Sequence, residues 1–288
     1  MTGKNILITG ANGMLGSQLV QKFKNSVGFS SKELNVTNKA QIFNAINKTK
    51  PQIIIHTAAF TNVDACENDI DKAYNINTYG TENLVNCCKN KDILFIFISS
   101  TGVYGSTKLT PYDEFDEVKP TTIHHKTKYE AEKIIMNNLD KYLILRTGWM
   151  FGGEINHKKN FVYQRFLEST NNNKLYSDDN QIGNPTYVDD FAKQIKVLIN
   201  ENQIGLFNCV NEAQFISRYD YVKKIIECFE LDCKLNKAPK DFFNRSAPVS
   251  NNESATNRKL DLLKINCMRS WDIALSEYIN KLKNNLYN

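Results

Sequence analysis

A chain of 288 residues with 41% hydrophobic and 23% charged content can bury a full core, and its size suits one large domain or one with a small appendage. Its net charge of +5 comes from lysines scattered along the chain, without a basic cluster or nucleic-acid motif. That pattern excludes nucleic acid as a partner and leaves a modest positive potential that suits an anionic nucleotide. No stretch approaches the roughly 18 apolar residues of a membrane helix, and the opening residues show no basic n-region of a secretory signal. Seven cysteines, odd in number and without a C-x-x-C pair, argue for buried, reduced thiols in a cytoplasmic protein and against a disulfide framework or a metal site.

The first strand is expected at Asn5 to Thr9. The segment Ile6-Leu-Ile-Thr-Gly10-Ala-Asn-Gly13-Met-Leu-Gly16 carries it into a helix predicted from Gly13 to Lys24. A glycine-rich turn between a first strand and a first helix is the context of a dinucleotide-phosphate loop. Gly10 permits the tight turn, Gly13 lets the backbone approach a pyrophosphate, Gly16 allows close packing, and the helix N-terminus faces the anion. With Asn12, Met14 and Leu15 these residues are the candidate phosphate loop, spaced G-x-x-G-x-x-G. After the second strand, Phe29-Ser-Ser-Lys32 offers hydroxyls and an ammonium where the extra phosphate of NADP would lie, while Glu33 follows directly. Ser31 and Lys32 therefore tilt the choice toward NADPH over NADH, since an acid at this place binds the ribose of NAD.

Further along, helices are predicted at Lys39 to Lys48, Ile70 to Cys88 and His124 to Leu139, alternating with strands at Gln52 to Thr57, Ile93 to Ser99 and Tyr142 to Arg146. Continuous apolar runs such as Ile53-Ile-Ile imply strands buried on both faces. The alternation predicts an α/β fold, a doubly wound parallel sheet of Rossmann type, over residues 1–150 as a dinucleotide-binding domain. Beyond residue 150 the rhythm changes. Helix-like segments at Val188 to Asn200, Arg218 to Phe229 and Ser270 to Asn284 and a strand piece at Leu206 to Val210 indicate a smaller, mixed substrate-side lobe, residues 151–288, interleaved with the first domain.

Gly10 to Gly16, Ala58-Ala59-Phe60, Asn77, Ile98-Ser-Ser100 and the helix bearing Lys128 resemble the extended short-chain dehydrogenase/reductase superfamily. Leu34-Asn-Val-Thr37, Leu145-Arg-Thr-Gly-Trp-Met-Phe-Gly152, Lys159-Asn-Phe-Val162 and Asp179-Asn-Gln-Ile-Gly-Asn-Pro-Thr186 resemble its dTDP-4-dehydrorhamnose reductase branch. The resemblance implies that Ala58, Ala59 and Phe60 line a nicotinamide cofactor with Asn77 behind them, and that Asn35 and Val36 lie near its adenine. Asn35 departs from the branch, which has an aspartate there. It further implies a nucleotide-linked hexose held by Thr61, Val63, Thr101, Trp149, Asn160, Asn184 and Thr186, and a homodimer, near whose contacts an acidic patch such as Asp64 and Glu67 can lie. From the residues alone, those two acids read as the solvated first turn of a helix.

Catalysis in that superfamily uses a Ser or Thr that holds the carbonyl oxygen, a Tyr that exchanges its proton, and a Lys that binds the ribose and lowers the Tyr pKa. Ser100 and Lys128 match the first and third. His124, four residues before Lys128 and so on the same helix face, stands where the tyrosine would be. Three readings stay open. In one, the His124 imidazole donates the proton and reduction favours mildly acidic pH. In another, His125, Tyr104, Tyr129 or a water supplies it. In the third, the fold survives as a silent cofactor-binding regulatory module. Among enzymes, a nucleotide-sugar 4-keto reductase leads. An epimerase or dehydratase is the alternative, because Ile98-Ser-Ser-Thr-Gly-Val-Tyr-Gly105 resembles the epimerases' strand.

Overall fold

The computed structural model describes residues 3–239 and 242–287. Five strands of the main sheet come in order, β1 (Ile6–Thr9), β2 (Ser26–Phe29), β3 (Ile53–His56), β4 (Leu94–Ser100) and β5 (Tyr142–Thr147), and Gly205–Asn208 adds a sixth. Read across the sheet, β2 forms one edge, followed by β1, β3, β4, β5 and Gly205–Asn208. Every neighbouring pair is parallel. The expected doubly wound α/β fold is therefore the one observed. The order turns between β1 and β3, and ligands of open α/β sheets sit beyond the strand carboxyl ends at such a switch.

Burial on both faces explains the unbroken apolar runs. Ile53 and Ile55 enter one core with Leu15 and Leu19 of α1 (Met14–Lys22), whereas Ile54 between them enters a second core. That second core is closed by α2 (Lys39–Thr49), α5 (Gly80–Cys88) and α6 (Ile123–Asn138). Two short helices, α3 (Val63–Asn68) and α4 (Ile70–Tyr74), precede α5. The first core runs on without a break into α7 (Phe161–Asn171), α8 (Val188–Asn200), α9 (Arg218–Phe229), α10 (Arg258–Leu262) and α11 (Trp271–Tyr287). No helix of the described residues is long and apolar enough to cross a membrane.

The predicted continuous helix from Ile70 to Cys88 is interrupted. Residues Asn75–Tyr79 form a π-turn, a wide turn that occurs frequently at functional sites. Asn77 within it is 1% exposed and holds the Phe60 backbone from both sides, accepting from its N–H at 2.7 Å and donating to its carbonyl at 3.1 Å. α7 was not expected from its mixed composition. The cysteines also depart from expectation: all seven are free, but Cys267 is exposed and Cys87 and Cys228 are half-buried.

His56, at the end of β3, is a buried neutral histidine whose tautomer follows from its neighbours. The Thr81 hydroxyl donates to the Asn77 carbonyl at 2.6 Å, so it accepts from His56 Nε2–H at 3.1 Å, and His56 Nδ1 accepts from Thr9 at 2.8 Å. Burial, aided by the Lys128 charge, pushes its pKa down to about 3 from 6.5. Protons then bind the unfolded chain first. The stability this residue contributes is complete above about pH 6.5 and is lost as pH falls toward 3, at about 1.4 kcal/mol per pH unit. Urea unfolding should show a loss of about 2 kcal/mol from this residue between pH 6.5 and 5. His56→Asn should flatten that slope; an unaltered slope would remove the assignment.

Candidate active site

A cavity of about 960 Å³ opens at the carboxyl ends of β1, β3, β4 and β5. Its floor is the glycine loop. Gly10 has φ +69°, and a Cβ on Gly16 would lie 2.2 Å from the Gly10 carbonyl oxygen, so side chains at either place would deform the loop. α1 begins after Gly13 with no side chain capping it, which leaves first-turn N–H groups of Met14, Leu15 and Gly16, all cavity-lining residues, for an anion. Such a cradle fits a dinucleotide pyrophosphate. Asn12, Ser31, Asn35 and Val36 line one side, Ala58, Ala59 and Phe60 the other.

The reacting groups gather beside it. Ser100 ends β4, and its Oγ accepts the Gly102 N–H at 3.2 Å, which leaves its own O–H free to donate. His124 and Lys128 project from α6, and both line the cavity with His125. His124 Nδ1 lies 3.1 Å from the Phe60 carbonyl oxygen. A carbonyl only accepts, so Nδ1 carries the proton and Nε2 of the neutral ring is a bare acceptor. Burial, then the charges of His125 and Lys128, hold the His124 pKa well below 6.5. Burial also lowers Lys128 to about 7, against the attraction of Glu132. The Lys128 ammonium lies 4.3 Å from the centre of the Phe97 ring.

Beyond the histidines the lining is cationic, with Lys158, Lys159, Arg218 and Arg245 against Glu253, the single carboxylate of the lining among the described residues. The Arg218 guanidinium stacks 3.5 Å over the Trp149 ring, and burial brings its pKa down to about 10 although Glu253 opposes the shift. Trp149 takes φ +38° and donates its indole N–H to Glu253 at 3.1 Å. A bulky residue in that left-handed region is strained, and such strain gathers at ligand sites. Four cations from three segments around one aromatic platform make a receptor for an anion carrying a ring.

The family described as "RmlD substrate binding domain" matches residues 4–284. The chain belongs to this RmlD family. A dTDP-4-dehydrorhamnose reductase of Aggregatibacter actinomycetemcomitans is 30% identical over 233 residues, 77% of this chain and 78% of that protein. The crystal structure of a dTDP-4-dehydrorhamnose reductase from Clostridium acetobutylicum superposes with a TM-score of 0.92 at 31% identity, covering 97% of this chain and 99% of that one. The corresponding enzyme of Bacillus anthracis, crystallised with NADP, also gives 0.92, at 28% identity over 97% of this chain and all of that one.

In this RmlD chain the cavity brings together most of the expected residues: the glycine loop, Ser31, Asn35, Val36, Ala58 to Thr61, Val63, Ser100, His124, Lys128 and Trp149. Others lie outside its lining, for identifiable reasons. Lys32 is exposed away from it, and Asn77 sits behind Phe60. Asn160 caps α7 and donates to the Tyr278 hydroxyl at 2.6 Å. The Asn184 amide is spent on the backbones of Asn211 and Ala255, and Thr186 donates back to the Asn184 carbonyl. Thr101 is fully buried, its hydroxyl without a hydrogen-bond partner among the described residues. Asp64 and Glu67 are not a solvated turn. Asp64 accepts from the Ala247 N–H at 3.0 Å, tying the segment that carries Arg245 to α3, and Glu67 accepts from the Ile123 N–H at 2.7 Å, anchoring the start of α6.

Proposed function

We propose that this RmlD-family chain is an NADPH-dependent reductase of a nucleoside-diphosphate-linked 4-keto-6-deoxysugar. The observation that carries the reading is the continuity of the cavity, from an uncapped glycine-loop helix terminus, past Ser100, His124 and Lys128, to the cationic platform of Arg218 and Trp149. Its relatives named dTDP-4-dehydrorhamnose reductase support the substrate class. A nicotinamide cofactor bound at the glycine loop would supply the hydride. Ser100 donates its O–H to the ketone oxygen, Lys128 holds the ribose, and Arg218 with Lys158, Lys159 and Arg245 meets the diphosphate while Trp149 covers the sugar.

His124 delivers the proton in its charged form. Since Nδ1–H is committed to Phe60, the transferable proton sits on Nε2, and its departure returns the ring to the resting neutral tautomer. NADPH is favoured over NADH because the one acid after β2 is occupied: the Glu33 carboxylate accepts both the N–H and the O–H of Ser30, at 2.8 and 2.7 Å. That leaves the hydroxyl of Ser31 on the cavity side, where an added phosphate would lie. We place the reaction in the cytoplasm, where seven free thiols stay reduced.

The test is NADPH and NADH oxidation at acidic to neutral pH with dTDP-, UDP-, GDP- and CDP-linked 4-keto-6-deoxysugars. Stoichiometric consumption with one donor and a preference for NADPH is the expected result. Sugar turnover without net cofactor consumption would replace the reading by an epimerase or dehydratase. Tight cofactor binding without any turnover would replace it by a regulatory module.

A further inference from the structure

His125 has no role in the scheme above, yet its ring is buried in the cavity wall beside that of His124, with centroids 5.2 Å apart and planes at 63°. Its environment sets the opposite proton arrangement. Thr122, fully buried, caps α6 by accepting the His125 backbone N–H at 3.2 Å, and its Oγ lies 3.0 Å from His125 Nδ1. The Thr122 hydroxyl proton has one acceptor among the described residues, and it is that Nδ1. If Nδ1 carried the proton instead, the buried hydroxyl's own proton would have no acceptor among the described residues. His125 therefore carries its proton on Nε2.

The His125 ring packs against the turn that starts at Ser100. A Cβ built on Gly102 would fall 2.1, 2.2 and 2.6 Å from His125 Cε1, Nε2 and Nδ1, so the ring lies against Gly102, the residue whose N–H meets Ser100 Oγ, and His125 and Ser100 both line the cavity. No protein group among the described residues hydrogen-bonds either Nε2.

We propose that His125 is a further catalytic residue, whose Nε2–H, oriented by Thr122, hydrogen-bonds the substrate's carbonyl oxygen beside Ser100, while neighbouring His124 presents a bare Nε2 until it is protonated. This rests on the reductase reading for the identity of the oxygen. It deepens that reading by dividing between two histidines what one phenol O–H does elsewhere. His125 gives up no proton: the ketone carbon gains the hydride, the oxygen gains the His124 proton, and His125 keeps its N–H throughout as a fixed donor to the developing alkoxide. Thr122 is a positioning residue. It acts through the His125 tautomer.

The test combines nitrogen-15 NMR of the histidine rings at neutral pH, without substrate, with kinetics of two Thr122 variants. The expected spectra show His124 protonated at Nδ1 and His125 at Nε2. Thr122→Val should release the His125 proton from Nε2 and lower kcat about 10–100-fold while the Kd for NADPH stays unchanged, and Thr122→Ser, which keeps hydroxyl and cap, should restore both tautomer and kcat. A His125 protonated at Nδ1 in the unaltered protein would overturn the proposal, as would a Thr122→Val protein with unchanged kcat. Failure of every keto-sugar to react would instead remove the reductase reading, and the proton position on His125 would still be decided by the spectra.

Discussion

Replacing His124 by alanine should lower turnover by roughly 10²–10⁴-fold, the range for losing a general acid, with NADPH affinity intact because the glycine loop is untouched. The pH profile makes the expectation specific. The ring is buried 3.1 Å from a carbonyl that claims its Nδ1 proton, and its pKa lies well below 6.5. At neutral pH most molecules therefore lack the acid form. The rate in the unaltered protein should climb about tenfold for each pH unit of descent toward that pKa. His124→Tyr exchanges this for a phenol whose ordinary pKa of about 10 keeps its proton through neutrality, so the dependence should flatten and neutral-pH turnover should rise. Steady-state kinetics from about pH 5 to about pH 8 measure both. A profile for the unaltered enzyme that is flat or rises with pH would remove His124 as the acid.

The second large effect is on stability. Glu132 and Arg146 form a two-pronged ion pair at 3.0 and 2.6 Å, with 0% and 4% of their side chains exposed. Ser99 donates to the same carboxylate at 2.5 Å, the guanidinium stacks 4.7 Å from the Tyr104 ring centre, and the Tyr104 hydroxyl donates to Asn208 at 2.8 Å. The network ties α6 to β4, β5 and the sixth strand. Glu132→Leu should cost about 3–5 kcal/mol, because it strands a buried guanidinium with no counter-charge. Combining it with Arg146→Met should recover most of that loss, since an apolar pair of similar volume has no such charge. Denaturant titration of the two singles and the double forms the test. Equal losses in Glu132→Leu and in the double would mean that packing, not the uncompensated charge, sets the cost. The catalytic side chains share these elements: Ser100 follows Ser99, and Lys128 lies one turn before Glu132. The single variants should therefore lose activity along with stability.

Local sequence settled those parts of the molecule whose physics is local. The strand, three-glycine turn and helix from Ile6 to Lys22 need only the small volume of Gly10 and Gly16 and the free donors of a helix end. Ile53-Ile-Ile announces a strand covered on both faces, and the four-residue spacing of His124 and Lys128 puts them on one side of a helix. Polar residues were less legible, because their type does not say which way they turn. Asn160, Asn184 and Thr186 were read toward a ligand and are instead consumed by α7, by the backbones of Asn211 and Ala255, and by the Asn184 carbonyl, respectively. Arg218, Arg245, Lys158 and Glu253 went unnoticed, since a receptor assembled from segments far apart in the chain leaves no spacing to find.

The chemistry at residue 124 shows the division most plainly. The sequence by itself determined that an imidazole stands in the tyrosine's place, one turn before a lysine. Which nitrogen of that imidazole holds the proton was decided by the Phe60 carbonyl, 64 residues away, itself pinned by Asn77 from a π-turn. Thr122 sets the opposite answer for the adjoining ring. A side chain's identity is carried by the chain, but its protonation state is set by the donors and acceptors that folding brings to it, and at this site those come from other elements of the fold.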